Sequence, residues 1–147
     1  MKISQQGIDL IKDLEGFRSK AYADPASRTG LPITIGYGRA HGVVLGDVCT
    51  PAQAEEWLKE DLEAVEDCIN SYVKVPLSQH AFDALASFTY NLGCHDLEKS
   101  TLLRLLNAGD RKAAADEFHR WVYSGGRIVN GLVNRRQKEA DVFKHGY

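Results

Sequence analysis

The residues best suited to do chemistry are Glu15, Asp24 and Thr34, all within DLEGFRSKAYADPASRTGLPITIGYG, residues 13–38. Hydrolysis of a glycosidic bond needs one protonated and one ionised carboxyl on opposite faces of a sugar, and a hydroxyl can help the ionised group hold the attacking water. Glu15 follows Ile11 by four positions and Ile8 by seven, which puts its carboxylate on the apolar stripe of a helix rather than opposite it. Lost hydration there would raise its pKa and keep a proton on it near neutral pH, as a general acid requires. The same position also suits an ordinary helix-end Glu that reaches solvent or pairs with an Arg. Asp24 stands before Pro25, in a turn or at a strand end, where a carboxylate is hydrated and ionised; an Asp that only shapes the turn would stand there too. Thr34 lies between Ile33 and Ile35, so if those two face a core the hydroxyl faces the other way, toward any cleft, although β propensity alone also selects Thr.

These residues need elements to carry them. Ser4 reads as an N-cap, with Ile3 and Ile8 in the positions of a hydrophobic staple. Ile8, Ile11, Leu14 and Phe17 repeat at a helical period, and Gly16 sits where a helix would stop. Residues 18–47 hold three brief strand-like runs, KAYAD, ITIGYG and GVVLGD, broken by Gly and Pro, which predicts a small antiparallel meander. Thr50-Pro51-Ala52-Gln53 is a helix start with a capping box and Pro at the first helical position, and the amphipathic helix it opens runs to about Tyr72. The remainder reads as helices: one opening on Ser78 and stopping at Gly93, one from Ser100 to Gly109, one capped by Asp110, and a last one around VNRRQKEADVFKHG. A small β-bearing lobe before a larger helical lobe, joined by a long helix, is an α+β arrangement. The short first helix, 4–15, cannot bury its stripe alone and is expected to pack back on the helical lobe.

At 147 residues the chain is one domain in size with room for two lobes, and it can bury roughly 70% of its unfolded surface without a metal or disulfide. A net charge of −2 argues against nucleic acid as the main partner. The charge is uneven: residues 55–67 are acidic, whereas the chain from Lys99 onward is net basic and open to an anionic polymer. Cys49, Cys68 and Cys94 are odd in number and widely spaced, which predicts free thiols in a reducing compartment rather than a disulfide or zinc framework. MKISQQGIDL has no apolar core of a signal peptide and no run approaches ~20 apolar residues. The expectation is a chain that stays in the cytoplasm until something else releases it.

EGFRSKAYAD followed by TIGYG, then AFDALASFTYNLG and RWVYSGGRIVNGLVNRRQKEADVF in that order, resembles the phage-type lysozymes, the endolysins of glycoside hydrolase family 24. The likeness covers nearly the whole chain. It implies a single lysozyme-like domain over residues 1–147, with a β lobe at about 13–55 and a helical lobe at about 56–147. It implies a muramidase that cuts the β-1,4 bond between N-acetylmuramic acid and N-acetylglucosamine of peptidoglycan, with inversion and no cofactor, and so lyses the host. Glu15 would be the general acid, Asp24 would orient the attacking water or stabilise the oxocarbenium-like transition state, and Thr34 would help hold that water. Inversion calls for carboxyls about 6.5–9.5 Å apart rather than about 5–5.5 Å, in a groove expected between the lobes. Two features depart from the family. The tip PASRTGLP is long, which makes Thr29 a rival to Thr34, and Arg39 stands where the family commonly has His, as a permanent charge.

Tyr37, Asn91 and Arg135 are further candidates for sugar contact. Asn91 could equally cap its helix, and Arg135 and Arg136 could face the carboxylates of a muramyl peptide or pair with Glu15. The five histidines have no metal-ligand spacing, and GYGRAHG opens no βαβ unit, so neither metal nor nucleotide is expected. Cys94 beside His95 reads as a residue at a helix end rather than a nucleophile. The expected partner is peptidoglycan, acted on by a monomer with no nucleic acid and no stable membrane insertion. Two rivals stand: a muramidase-like fold that binds glycan or protein without cutting, and a lytic transglycosylase, which needs no water-positioning Asp.

Overall fold

The computed structural model describes residues 1–23 and 29–147. Asp24 and the first part of the PASRTGLP tip lie outside the described residues. The chain forms two compact units, one of residues 9–63 and one of residues 1–8 with 64–147. Two helices have a part in each: α1 (Gln5–Glu15) and α2 (Pro51–Tyr72).

The first unit is built around strands β1 (Arg18–Ala23) and β2 (Ile33–Gly36), which pair antiparallel with Tyr22 opposite Thr34 and Ala23 opposite Ile33. The predicted three-strand meander differs from what forms. The GVVLGD run forms turns and no strand; the chain meets β1 only at its end and just beyond it, at the bridge Lys20↔Val48, with Ala21 N–H donating to Asp47 O (3.0 Å) and Cys49 N–H to Ser19 O (2.8 Å). This segment, residues 47–49, therefore flanks the first strand, where a meander would have put a third strand beside the second. Ile35 is buried against Cys49 and Ala54, with Ala21, Tyr37, Val43 and Trp57 packed around them. This small core fixes which face of β2 is inside.

The second unit holds α3 (Gln79–Leu92), α4 (Cys94–Lys99), α5 (Thr101–Asn107), α6 (Arg111–Glu117), a 3₁₀ turn at Phe118–Arg120, the hairpin β3 (Tyr123–Ser124) and β4 (Arg127–Ile128), and α7 (Asn130–His145). The expected caps form, because each is local chemistry. Ser78, Ser100 and Asp110 accept from the backbone N–H groups of Ala81, Leu103 and Ala113 at 3.2, 3.0 and 3.1 Å. The α2 box closes both ways, Thr50 N–H to Gln53 Oε1 (2.9 Å) and Gln53 N–H to Thr50 Oγ1 (3.2 Å). The core is aromatic: Phe88 meets Phe118 edge-on at 5.3 Å and Trp121 at 5.7 Å, and Phe118 meets Phe143 at 5.4 Å. The first turn of α1 belongs to this unit. A Cβ on Gly7 would lie 2.6 Å from Asp83 Cγ, so only glycine allows that approach. Asp83, fully buried, accepts from Ser4 N–H (3.0 Å), Gln79 Nε2 (2.9 Å), the Tyr147 hydroxyl (2.9 Å) and the Ser4 hydroxyl.

The cysteines correct the expectation of three free thiols. Cys68 and Cys94 are joined by a disulfide, with Cα atoms 5.9 Å apart. They stand 26 positions apart, and only the meeting of α2 with the start of α4 reveals the pair. Cys49 alone is free; it is buried, and burial pushes its thiol pKa up.

Candidate active site

Glu15 is the last residue of α1 and is half-buried. The helix ends at the next residue, where Gly16 N–H donates to Lys12 O at 2.9 Å. Phe17, counted in the helical period, is already outside the helix and more than a third exposed. The turns around Glu15 are held from both sides. One turn earlier, Lys12 Nζ donates to Glu55 Oε1 at 2.6 Å, and its ammonium lies 5.6 Å from the centre of the Tyr37 ring. Two residues later, the Phe17 ring lies 5.5 Å from that same ring. The Lys12 pair raises the Lys12 pKa and lowers that of Glu55, in each case chiefly through their shared hydrogen bond.

The Thr-Ile-Gly-Tyr-Gly run explains how Tyr37 reaches that position. Ile35 N–H donates to Arg39 O and Arg39 N–H to Ile35 O, both at 3.0 Å, closing a tight turn with Tyr37 at its tip. Gly36 has φ +66°, and a Cβ there would come within 2.9 Å of the Ala54 side chain, so both backbone conformation and close packing require glycine. Three residues back along the strand, Thr34 is half-buried opposite Tyr22. Its rival Thr29 is exposed, with its hydroxyl accepting from Leu31 N–H at 3.4 Å. The structure thus brings together, in one unit, the Glu15 end of α1, the Tyr37 turn and the strand that carries Thr34. Asp24 lies outside the described residues; its chain neighbour Ala23 ends β1 opposite Ile33.

Arg39 is committed within the same unit. Its guanidinium lies 5.2 Å from the centre of the Trp57 ring and pairs with Glu60 (3.3 Å) and Asp61 (3.9 Å), while Nη2 is 3.2 Å from His41 Nε2. Burial raises the Asp61 pKa, and the Arg39 charge partly opposes that. Beside Arg39 lies a cavity of about 360 Å³ whose walls include Ile35, His41, Asp47 and Trp57.

Asn91 and Arg135 stand in the other unit, in a network centred on Glu139. Arg135 is 6% exposed, and Arg136 and Glu139 are fully buried. Glu139 accepts from Arg135 Nε (3.2 Å), Arg136 Nη1 (2.5 Å) and the Ser87 hydroxyl (2.5 Å). Arg135 also donates to Ser87 O at 3.0 Å, and Arg136 to Trp121 O at 2.9 Å and to the Asn91 side-chain oxygen. The key partner, Glu139, was missed. Its spacing of three and four residues from the arginines was the signal. Among the described residues no group of three or more His, Cys, Asp or Glu side chains could hold a metal, and no helix is long and apolar enough to cross a membrane.

A small β-bearing unit with a half-buried helix-end glutamate, accompanied by a helical unit, defines a lysozyme-like α+β protein. Residues 12–139 match the phage lysozyme family, and the chain belongs to it. It is 46% identical over 147 residues to the endolysin of Bacillus phage PZA, covering 99% of this chain but 56% of that protein. The endolysin of Acyrthosiphon pisum secondary endosymbiont phage 1 is 43% identical over 148 residues, with 98% and 99% of the two chains covered. In three dimensions the chain is similar to an endolysin from the Escherichia coli O157:H7 phage FAHEc1, with TM-score 0.89, 39% identity and coverage of 100% and 96%.

Proposed function

We propose that this chain is an endolysin muramidase that hydrolyses the β-1,4 linkage between N-acetylmuramic acid and N-acetylglucosamine in peptidoglycan, and that lysis of the host cell is its role. What supports the reading is the half-buried Glu15 at the end of α1, in one unit with Thr34, within a chain of the phage lysozyme family. Glu15 in its acid form gives its proton to the departing glycosidic oxygen as the bond to the anomeric carbon breaks. Asp24, ionised, takes a proton from a water held also by the Thr34 hydroxyl. The water attacks the anomeric carbon from the face opposite the leaving group and inverts it. Tyr37, braced by Lys12 and Phe17, offers an aromatic edge for a sugar ring next to the acid. No substrate contact is proposed for Arg135, whose guanidinium is bound to Glu139 and Ser87. The enzyme acts as a monomer, needs no cofactor, and works on the wall after release from the host cytoplasm.

Glu15→Gln should fold normally and lose at least about 100-fold in the rate of turbidity loss of a peptidoglycan suspension, the scale of a missing general acid. Near-normal rates would remove Glu15 from its role. Mass spectrometry of the products tests the chemistry, since reducing muramyl ends are expected and anhydro-muramyl ends would mean a transglycosylase. Glycan binding by the wild type without any cleavage would mean a binding module.

A further inference from the structure

The helical unit holds a cavity of about 430 Å³ with a basic lining. Arg111 and Lys112 from the start of α6, Lys144 and His145 from the end of α7, and His80 from the first turn of α3 line it together with Ser78 and Phe143. Among the described residues no carboxylate is in the lining. Two acids near these residues in sequence are engaged: Asp110 with Ala113 N–H at 3.1 Å and Asp141 with the Gln137 side chain at 2.9 Å. Among the described residues Arg111, Lys112 and Lys144 form no ion pair. Lys144 and His145 suit a helix C-terminus, which attracts cations. Arg111 and Lys112 occupy the opposite end of a helix, where the backbone dipole opposes them, so helix stability does not explain their placement.

Two of the polar groups are held in position. One Arg111 nitrogen donates to Pro76 O, leaving the rest of its five-donor fork to a ligand. His80 Nδ1 is 2.9 Å from Val142 O, which leaves Nε2 as the remaining polar atom of the ring. The fork fits the oxygens of a phosphate group and the two lysines supply point charges around it. The volume exceeds what a bare phosphate fills, and Phe143 provides an apolar wall for carbon.

We propose that this cavity binds a phosphate ester of a small polyol or sugar, as a site within the helical unit that is separate from Glu15 and independent of the hydrolytic reading. The test is titration of the whole chain with glycerol 3-phosphate, followed by amide NMR shifts. Saturable shifts at His80, Arg111 and Lys144 are expected, with a Kd on the order of 1 mM. Glycerol should give none. Lys112→Gln with Lys144→Gln, both at exposed positions, should keep the wild-type melting temperature and weaken binding about tenfold or more. Poly(glycerol phosphate) and phosphatidylglycerol vesicles then distinguish an anionic polymer from a lipid headgroup as the natural source: whichever competes with glycerol 3-phosphate identifies it. Absence of saturable shifts, equal binding by wild type and double variant, or tighter binding of duplex DNA than of either phosphate-ester source at equal phosphate would overturn the proposal.

Discussion

Replacing Glu139 with alanine leaves two guanidiniums, Arg135 and Arg136, without their shared counter-ion. Arg136 and Glu139 are fully buried and Arg135 is 6% exposed, so water cannot take the place of the carboxylate. Breaking a buried ion pair from one side costs about 3–5 kcal/mol, because the remaining charge stays desolvated. Against a total stability of about 5–15 kcal/mol, that is a large fraction. For a chain of this size each kcal/mol moves the melting temperature by about 2–4 °C, so a drop of about 6–20 °C is expected. Far-UV circular dichroism during thermal and urea unfolding reads it. The double variant Glu139→Ala with Arg136→Met separates the cause from simple loss of packing. It removes one of the two guanidiniums that had shared the Glu139 carboxylate and should be more stable than the single variant by about 1 kcal/mol or more, although it gives up the Arg136 bonds to Trp121 and Asn91. A double variant less stable than the single one, or a single variant within about 1 kcal/mol of wild type, would refute the reasoning.

Other changes give equally definite outcomes. Cys94→Ser opens a covalent loop that spans 26 positions, which should cost about 3.5 kcal/mol in oxidising buffer and nothing further once the wild type is reduced; unfolding with and without reductant checks it. Gly36→Ala puts a methyl group 2.9 Å from Ala54 at φ +66° and should cost about 1–3 kcal/mol or more, with loss of turnover as the Tyr37 turn shifts; melting and turbidity assays run together would show both. Asp61 takes up a proton more readily folded than unfolded, so its contribution to stability is fullest below the ordinary value of 3.8 and is lost as pH rises through the raised folded pKa. Asp61→Asn should therefore flatten that fall in urea midpoints measured from about pH 3 to 7, and an unchanged slope would contradict the shift.

The ends of the helices were legible because their chemistry is local. A Ser, Thr or Asp that accepts a backbone N–H three residues on leaves its mark in the sequence, and Thr50, Ser78, Ser100 and Asp110 all act where they read as acting. What the chain concealed depends on approach in space. The disulfide joins residues whose separation suggests nothing, and the third strand-like run folds into turns while the residues after it, from Val48, come against β1 at Lys20. The hairpin of Tyr123–Ser124 with Arg127–Ile128 is too short to show alternation, though the Gly125-Gly126 pair between its strands is a turn signal. The arginines and Glu139 share helical spacing with countless exposed pairs, and only burial separates this cluster from those.

The same distinction applies within residues 34–38. In Thr-Ile-Gly-Tyr-Gly most positions are accounted for by packing: Ile35 fills the small core, Gly36 clears Ala54, and the Ile35–Arg39 backbone pair closes the turn that sets Tyr37 against Phe17 and beside Lys12. Those needs are met without Thr34, whose side chain is half-buried on a strand otherwise fixed by its neighbours. Such rigidity favours a hydroxyl that must hold one water to within a fraction of an ångström. If Thr34 holds that water, Thr34→Ala should lower turnover while leaving the melting temperature within about 1 kcal/mol equivalent of wild type, and Thr29→Ala should change neither. A stability loss in Thr34→Ala that accounts for all of the lost activity would return the residue to the sheet and leave the water to Asp24 alone.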